Sequence, residues 1–470
     1  MLLLAVAAPA AAIEPLRVKD GQLRDRQGRQ VVLHGVNVVY KVPPYHPNES
    51  KGATSSFDET DVLRLKRWGF NTIRLGVQWA GLEPERGRVD RAYFAEIRRF
   101  VRLAARHGIY SQVDNHQDGW GEKFGGNGAP EWATYDDNLP WVPGLGHPAE
   151  YGNPAVGRSF TSFWQNRAGI QSRYVSSFAA LARALRREQG IVGYDTFNEP
   201  SCEYTRDPCE FPPPEHAAGE LLHPFYSRIV PALRSADRSA PVFYEDWITA
   251  SSGEYSVGEP PNPSLRRRHQ LGLSYHVYCA SGDCEEGDWQ TIQRANRNAR
   301  ANNAFPLITE FGATEDLETI ERVARLADRA GDSWIYWTYK TYFDPYPIFL
   351  MPPETARATD QDDTWSIVSE EGRVKHAKVR TLARPYPQRI PGTAPRWSFA
   401  PGPRVFRFSY RPAGRRIAVV QTNRAIQYAK GYRVRVTGAQ VVSKPGATKL
   451  RLRARRGADR VTLVVRPRSG

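Results

Sequence analysis

The sequence predicts an α/β protein, a (β/α)8 TIM barrel followed by a small C-terminal antiparallel β-sandwich. Three observations carry this. Eight β-rich apolar runs alternate with amphipathic segments over the first 385 residues. The runs are mostly apolar instead of strictly alternating, as parallel strands covered by helices require. Near Tyr386 the composition changes: a Pro-rich stretch gives way to short β runs crowded with arginine.

In chain order, Leu2 to Ala12 is an apolar run ending Ala-Ala-Ala before Ile13-Glu14-Pro15. It reads as the apolar and cleavage regions of a secretory leader without a positively charged start. The expected barrel strands are Val31–Val39, Asn71–Val77, Tyr110–Asn115, Val192–Asn198, Pro241–Asp246, Leu273–Tyr278, Pro306–Glu310 and Ser333–Tyr339. Between them, Ile97, Phe100, Val101, Ala104 and Ala105 recur at helical spacing until His107-Gly108 stops the helix. Phe178, Leu181, Ala182 and Leu185 repeat the pattern before Gly190, and Leu317, Ile320, Val323, Leu326 and Ala327 repeat it before Gly331. The stretch from His116 to about Gln171 is too long for an ordinary βα loop. It carries Trp120, Phe124, Trp132, Tyr135, Trp141 and Trp164, and a second apolar excursion, Tyr342 to Met351, follows the last strand. These aromatics either line an apolar channel or pack on a subdomain of their own. A linker from Arg384 to Pro403 then leads to β runs at Val405–Tyr410, Arg416–Thr422, Tyr432–Thr437, Lys449–Arg453 and Arg460–Arg466. The expected units are therefore a leader over 1–12, a catalytic barrel over 13–385 and a basic sandwich over 386–470.

Composition narrows the function classes. The chain has 470 residues, 40% hydrophobic and 11% aromatic, too apolar for wholesale disorder. It has no internal apolar run of about 18 residues, which excludes a polytopic helical membrane protein. The net charge of +15 is local: from Tyr386 onward 20 Lys and Arg face one acid, Asp459, while the preceding residues carry 45 Lys and Arg against 49 Asp and Glu. The basic tail lacks a nucleic-acid reading motif, so nucleic acid is not an expected partner. Such charge suits attraction to anionic lipid surfaces, and equally to sialylated head groups or cell-wall polymers, or serves solubility alone. The four cysteines fall as Cys202/Cys209 and Cys279/Cys284. Four cysteines allow three connectivities; two short loops in an oxidising compartment are favoured, and the spacing does not suit zinc.

Two acids dominate the chemistry. Phe197-Asn198-Glu199-Pro200 ends the fourth expected strand, and Glu310 ends the seventh in Leu307-Ile308-Thr309-Glu310-Phe311-Gly312. A barrel brings both strand ends to one rim. There one carboxyl can protonate a leaving oxygen while the other attacks, provided they lie about 5–5.5 Å apart. Arg74, inside an apolar strand, must be paired, and its natural task is to keep the nucleophile ionised. His116 and Asp118 follow the third strand, His276 and Tyr278 share a face of the sixth by the strand period of two, and Trp337 on the eighth offers a sugar-stacking floor. Taken singly, Arg74, His276 and Trp337 each have an ordinary structural use; falling together at strand ends, they do not. A metal site at His116 and Asp118 is not expected. Glu245, on the fifth strand in Phe243-Tyr244-Glu245-Asp246-Trp247, lacks the flanking pattern, reads as a decoy and is not expected to contact substrate.

The set Arg74, His116, Asn198-Glu199-Pro200, His276-x-Tyr278, Glu310 and Trp337 resembles glycoside hydrolase family 5 over about residues 30–385. Within it, His34-Gly35-Val36-Asn37-Val38-Val39-Tyr40-Lys41, Asn115-His116-Gln117-Asp118 and Gly193-Tyr194-Asp195-Thr196-Phe197-Asn198-Glu199-Pro200 look like endoglycoceramidases and their galactosyl-specific relatives. The resemblance implies Glu199 as acid/base and Glu310 as nucleophile. Asn198 would hold the sugar 2-hydroxyl, Lys41, His116 and Asp118 would contact the glycan, Tyr278 would bond the nucleophile and Trp337 would lie beneath the sugar. It implies no cofactor, and a secreted monomer acting on a glycosphingolipid at a micelle or membrane surface. Lys340, after Trp337-Thr338-Tyr339, departs from the family pattern. Rival readings are an exo-acting β-glucosidase on glucosylceramide or steryl glucoside, a polysaccharide endoglucanase, and a non-catalytic glycolipid-binding protein.

Overall fold

The structure is a computed structural model that describes residues 13–48, 56–143, 149–204, 209, 215–252, 270–279, 282–340, 365–369 and 371–468. The apolar leader and the excursion after the last barrel strand lie outside the described residues.

Eight parallel strands close into a barrel: β4 (His34–Val38), β5 (Thr72–Val77), β6 (Tyr110–Asn115), β7 (Ile191–Asp195), β8 (Val242–Glu245), β9 (Leu271–Val277), β10 (Phe305–Phe311) and β11 (Ser333–Tyr336). Every residue of β4 to β9 and of β11 is buried, which explains why these runs do not alternate between apolar and polar as half-exposed strands would. The expected helices form with recognisable ends. Arg91–Arg106 starts at Asp90, whose side chain accepts from the N–H groups of Ala92 and Tyr93. Leu317–Ala330 starts at Asp316 and stops at Gly331, which adopts φ 87°. The last strand is shorter than expected: it ends at Tyr336, and Trp337 continues only as an isolated bridge to Gly312.

Before the barrel, β1 (Arg17–Lys19), β2 (Gln22–Arg24) and β3 (Gln30–Val31) lead into a seven-stranded sheet of order β1-β2-β3-β12-β15-β18-β17. Its other strands are β12 (Tyr386–Ile390), β15 (Ile417–Gln421), β17 (Ala439–Val441) and β18 (Lys449–Ala454). A four-stranded sheet, β13 (Gly392–Ala400), β14 (Val405–Pro412), β19 (Val461–Pro467) and β16 (Tyr432–Thr437), completes the sandwich. The segment 384–403, expected as a linker, thus contributes two strands. Pro387 is accommodated where the β12–β15 register shifts, and the β13–β14 register shifts between Thr393 and Arg396, beside Pro395.

The long connection after β6 folds as a cap. Trp120, Phe124 and Trp164 are buried, packed with Trp79, Phe160 and Phe163, and Trp132, Tyr135 and Trp141 pack at its edge. These side chains are continuous with the main core around the barrel, so Trp120, Phe124 and Trp164 are not available as a lipid lining. The sandwich meets the barrel where the strands begin. His34 stacks on Tyr386 at 3.8 Å between ring centres, Tyr386 donates to the Gly69 carbonyl, and Arg389 donates to the Tyr110 hydroxyl. The strand C-termini at the other end remain for the site.

Candidate active site

Glu310 lies on β10 and Glu199 follows β7, so the closed barrel brings residues 111 positions apart in sequence to one rim. One carboxylate oxygen of each and a ring nitrogen of His276 all lie within 4.8 Å of one another. Among the described residues this is the group closest to a metal-binding constellation. Its donors are already committed: His276 Nδ1 is 2.8 Å from Glu199 Oε1, and Arg74 lies 2.5 Å from Glu310 Oε1. A cation there would face the guanidinium, and the set fits a carboxylate pair better.

Arg74 is fully buried on β5. It reaches Glu310, Asp114 at 2.9 Å and Asp195 at 3.1 Å, and donates to Asn198 Oδ1 at 2.8 Å. Burial alone would lower its pKa, but Asp114, Asp195 and Glu310 raise it further, so it stays charged. Burial lifts Asp195 to about 6 despite that contact. The Tyr278 hydroxyl donates to Glu310 Oε2 at 3.1 Å. Burial and the nearby Glu310 and Glu199 hold that hydroxyl well above the usual tyrosine range. The two Glu310 oxygens thus have separate donors.

Glu199 occupies the left-handed region, at φ 46°. For a residue with a Cβ this costs roughly 1–2 kcal/mol and must be held by neighbours. Its N–H donates to Glu245 Oε1 at 3.2 Å. Gln117 Nε2 donates to the carbonyls of Asn198 and Glu199 at 2.8 and 3.0 Å. Asn198 Nδ2 donates in return to the Gln117 carbonyl at 2.9 Å. The side chain of Asn198 is therefore anchored at both ends with one lone pair and one N–H left over.

A second group stands beside the pair. Lys41 Nζ is 2.7 Å from Asp118 Oδ2 and 4.8 Å from the Trp337 ring centre. His116 stacks on Trp337 at 5.3 Å with an interplanar angle of 11°. His116 Nδ1 is 2.8 Å from Asp114 and its Nε2 3.2 Å from Asp118. Burial would lower the pKa of this ring, but Asp118 and Asp114 more than offset it and raise it to about 9. Cation, carboxylate and aromatic face converge as a polyhydroxylated ring would need.

All ten expected catalytic and substrate positions, Lys41, Arg74, His116, Asp118, Asn198, Glu199, His276, Tyr278, Glu310 and Trp337, therefore stand together at one end of the barrel. Sequence reasoning missed Asp114, Asp195, Gln117 and Glu245. Asp114 and Asp195 are strand residues whose burial demands a cation, and Arg74 was the available signal. Glu245, set aside as a decoy for substrate contact, lies against Glu199 and accepts from its N–H. The cysteines form Cys202–Cys209 and Cys279–Cys284, each beside a catalytic strand end. Lys340 pairs with Asp61 at 2.7 Å, buried and away from the carboxylates.

Comparison with known proteins places the geometry. Residues 25–342 match the family described as Cellulase (glycosyl hydrolase family 5), and residues 384–465 match the glycoside hydrolase family 5 C-terminal domain. Endoglycoceramidase I of Rhodococcus hoagii (strain 103S) is 29% identical over 463 residues, covering 93% of this chain and 86% of that protein. An endoglycoceramidase of Cyanea nozakii is 32% identical over 282 residues, 55% of each chain. Among solved structures, endo-glycoceramidase II from Rhodococcus sp. in an iminocyclitol complex aligns with a TM-score of 0.75 at 25% identity, covering 95% of this chain and 99% of the other.

Proposed function

Because the chain belongs to glycosyl hydrolase family 5, we propose that it is a secreted, retaining endo-β-glycosidase that releases the intact glycan of a glycosphingolipid from its ceramide. The observation that carries this reading is the buried Glu199–Glu310 pair, with oxygens within 4.8 Å, in a chain similar over nearly its whole length to an endoglycoceramidase. A separation of about 5 Å leaves no room for water between carboxylate and sugar, which selects the two-step course.

In the first step Glu310 attacks the anomeric carbon. The bond from that carbon to the ceramide oxygen breaks, and Glu199 gives its proton to that oxygen. The product is a glycosyl ester on Glu310, with ceramide released. In the second step water attacks the same carbon, Glu199 takes the water proton, and the Glu310 carboxylate leaves. Two inversions give retention. Arg74 and Tyr278 hold the Glu310 carboxylate in place with one donor on each oxygen. Lys41, Asp118, His116 and Trp337 hold the sugar beside the pair, and Asn198 directs its amide to the 2-hydroxyl.

The two disulfides support an oxidising, extracellular setting. Lipid-surface association is supported by the exposed arginines of the sandwich, among them Arg407, Arg433, Arg435 and Arg466. Since the sandwich sits at the strand-start end, its charge acts as a general attraction and does not orient the site.

Incubation with lactosylceramide, a ganglioside, glucosylceramide, a galactosyl-type ceramide and soluble β-glucan, with mass spectrometry of both products, tests the reading. Intact oligosaccharide plus free ceramide is expected. Release of single sugars, or turnover of β-glucan alone, overturns it in favour of an exo-glucosidase or an endoglucanase.

A further inference from the structure

We propose that Glu245, on the fifth barrel strand, is a positioning residue for Glu199: one carboxyl oxygen accepts from the backbone N–H of the acid/base and stands beside the imidazole that bonds its side chain. Glu245 Oε1 accepts from the Glu199 N–H at 3.2 Å and lies 3.4 Å from His276 Nε2. The other ring nitrogen of His276 is 2.8 Å from Glu199 Oε1. Glu245 thus holds Glu199 through the peptide, while His276 Nε2 stands between it and Glu310 Oε1, 3.6 Å away, without a hydrogen bond to either.

The need for such a hold is visible in the chain. Glu199 is in the left-handed region at φ 46°, which a residue with a Cβ leaves when nothing restrains it. Gln117 restrains the carbonyl side of that peptide turn, and Glu245 restrains the N–H side. Glu245 is itself anchored. Its N–H donates to the Tyr226 hydroxyl at 3.1 Å, its carbonyl accepts from the same hydroxyl, and β8 pairs it with Ser274 of β9. Burial, reinforced by Asp195, holds its carboxyl well above the ordinary carboxylate range. Glutamine keeps an oxygen in place to accept from the Glu199 N–H.

The proposal rests on Glu199 being the acid/base, and its test separates the two claims. Ceramide departs from lactosylceramide only with a proton. Dinitrophenolate departs from dinitrophenyl β-lactoside without one, so kcat/KM on that substrate reports the first step free of acid catalysis. Glu199→Gln is expected to lose lactosylceramide hydrolysis and keep kcat/KM on the dinitrophenyl lactoside. Glu245→Ala is expected to lose about 10–100-fold in kcat/KM on lactosylceramide and less than about 3-fold on the activated lactoside, the scale of a misplaced catalytic group. Glu245→Gln is expected to restore lactosylceramide turnover to within about 3-fold of the wild type, since it keeps the acceptor. If Glu245→Ala does not fold, Glu245→Met fills the volume without an acceptor of comparable strength and carries the same test. Equal losses on both substrates, or none on either, in a background where Glu199→Gln shows the split, overturn the role of Glu245 alone. Wild-type lactosylceramide turnover by Glu199→Gln overturns the acid/base reading and this one with it.

Discussion

Arg74 sets the charge balance of the site, because a single buried guanidinium faces Asp114, Asp195 and Glu310. Its removal strands three carboxylates without a counter-charge. Arg74→Ala is expected to cost about 3–5 kcal/mol of unfolding free energy, read from denaturant titration, and to abolish turnover. Arg74→Lys keeps the charge but cannot serve the five residues that the fork reaches, Asn37, Asp114, Asp195, Asn198 and Glu310, so activity is expected to fall even where the fold survives. His116 gives a pH prediction. Its folded-state value, about 9, lies above the ordinary 6.5, so protonation of this ring favours the folded state. That contribution is fully present below about pH 6.5 and is lost as pH rises through about 9. Unfolding free energy measured from pH 6 to 10 is expected to fall less steeply for His116→Gln than for the wild type. At this scale the sequence was informative wherever chemistry forces a residue type. An arginine in an apolar strand, two strand-end glutamates and a His-x-Tyr pair were legible. Glu245 and Gln117 were not, because they act on the backbone of Glu199, and a backbone contact leaves no mark on residue type.

Strands and loops carry the next level. The barrel strands were legible because continuous burial removes the apolar/polar alternation of half-exposed strands, and the helices because their stops, His107-Gly108 and Gly331, are punctuated. The β strands inside 384–403 were hidden by prolines, which read as linker until partner strands supply a register shift to absorb them. Fit between neighbouring strands was also invisible. Phe243 of β8 lies over Gly193 of β7 and Gly272 of β9, where an added Cβ would stand 2.3 Å from its ring in either case. Gly193→Ala is therefore expected to destabilise the barrel by about 1–3 kcal/mol through overpacking, and Phe243→Leu in the same chain to recover part of it. Thermal unfolding of the single and double variants checks this, and an unperturbed single variant contradicts it.

The whole molecule is tied together from both ends of the chain. β3 pairs with β12, so residues before the barrel complete a sheet formed by residues after it. Arg384 bonds Asp328, which also accepts from Trp397, and Asn423 packs on Gly69 where a Cβ would stand 1.7 Å from its Oδ1. No local pattern announces pairing between such distant segments, which is why the sequence divides readily into units but does not show how they join. We propose that barrel and sandwich unfold as one. A chain ending at Pro385 is expected to lose its near-ultraviolet circular dichroism and its cooperative transition, whereas a sharp transition at the wild-type temperature would contradict the coupling. All of this scaffolding serves one arrangement, two carboxylates held a single bond-forming step apart. Its most direct test is to trap the intermediate: incubate the protein with a fluorinated dinitrophenyl β-lactoside that forms the glycosyl ester but releases it slowly, then digest and sequence by mass spectrometry. The account predicts one lactosyl adduct, on Glu310. An adduct on Glu199, or rapid product release of inverted configuration with no adduct, would contradict it.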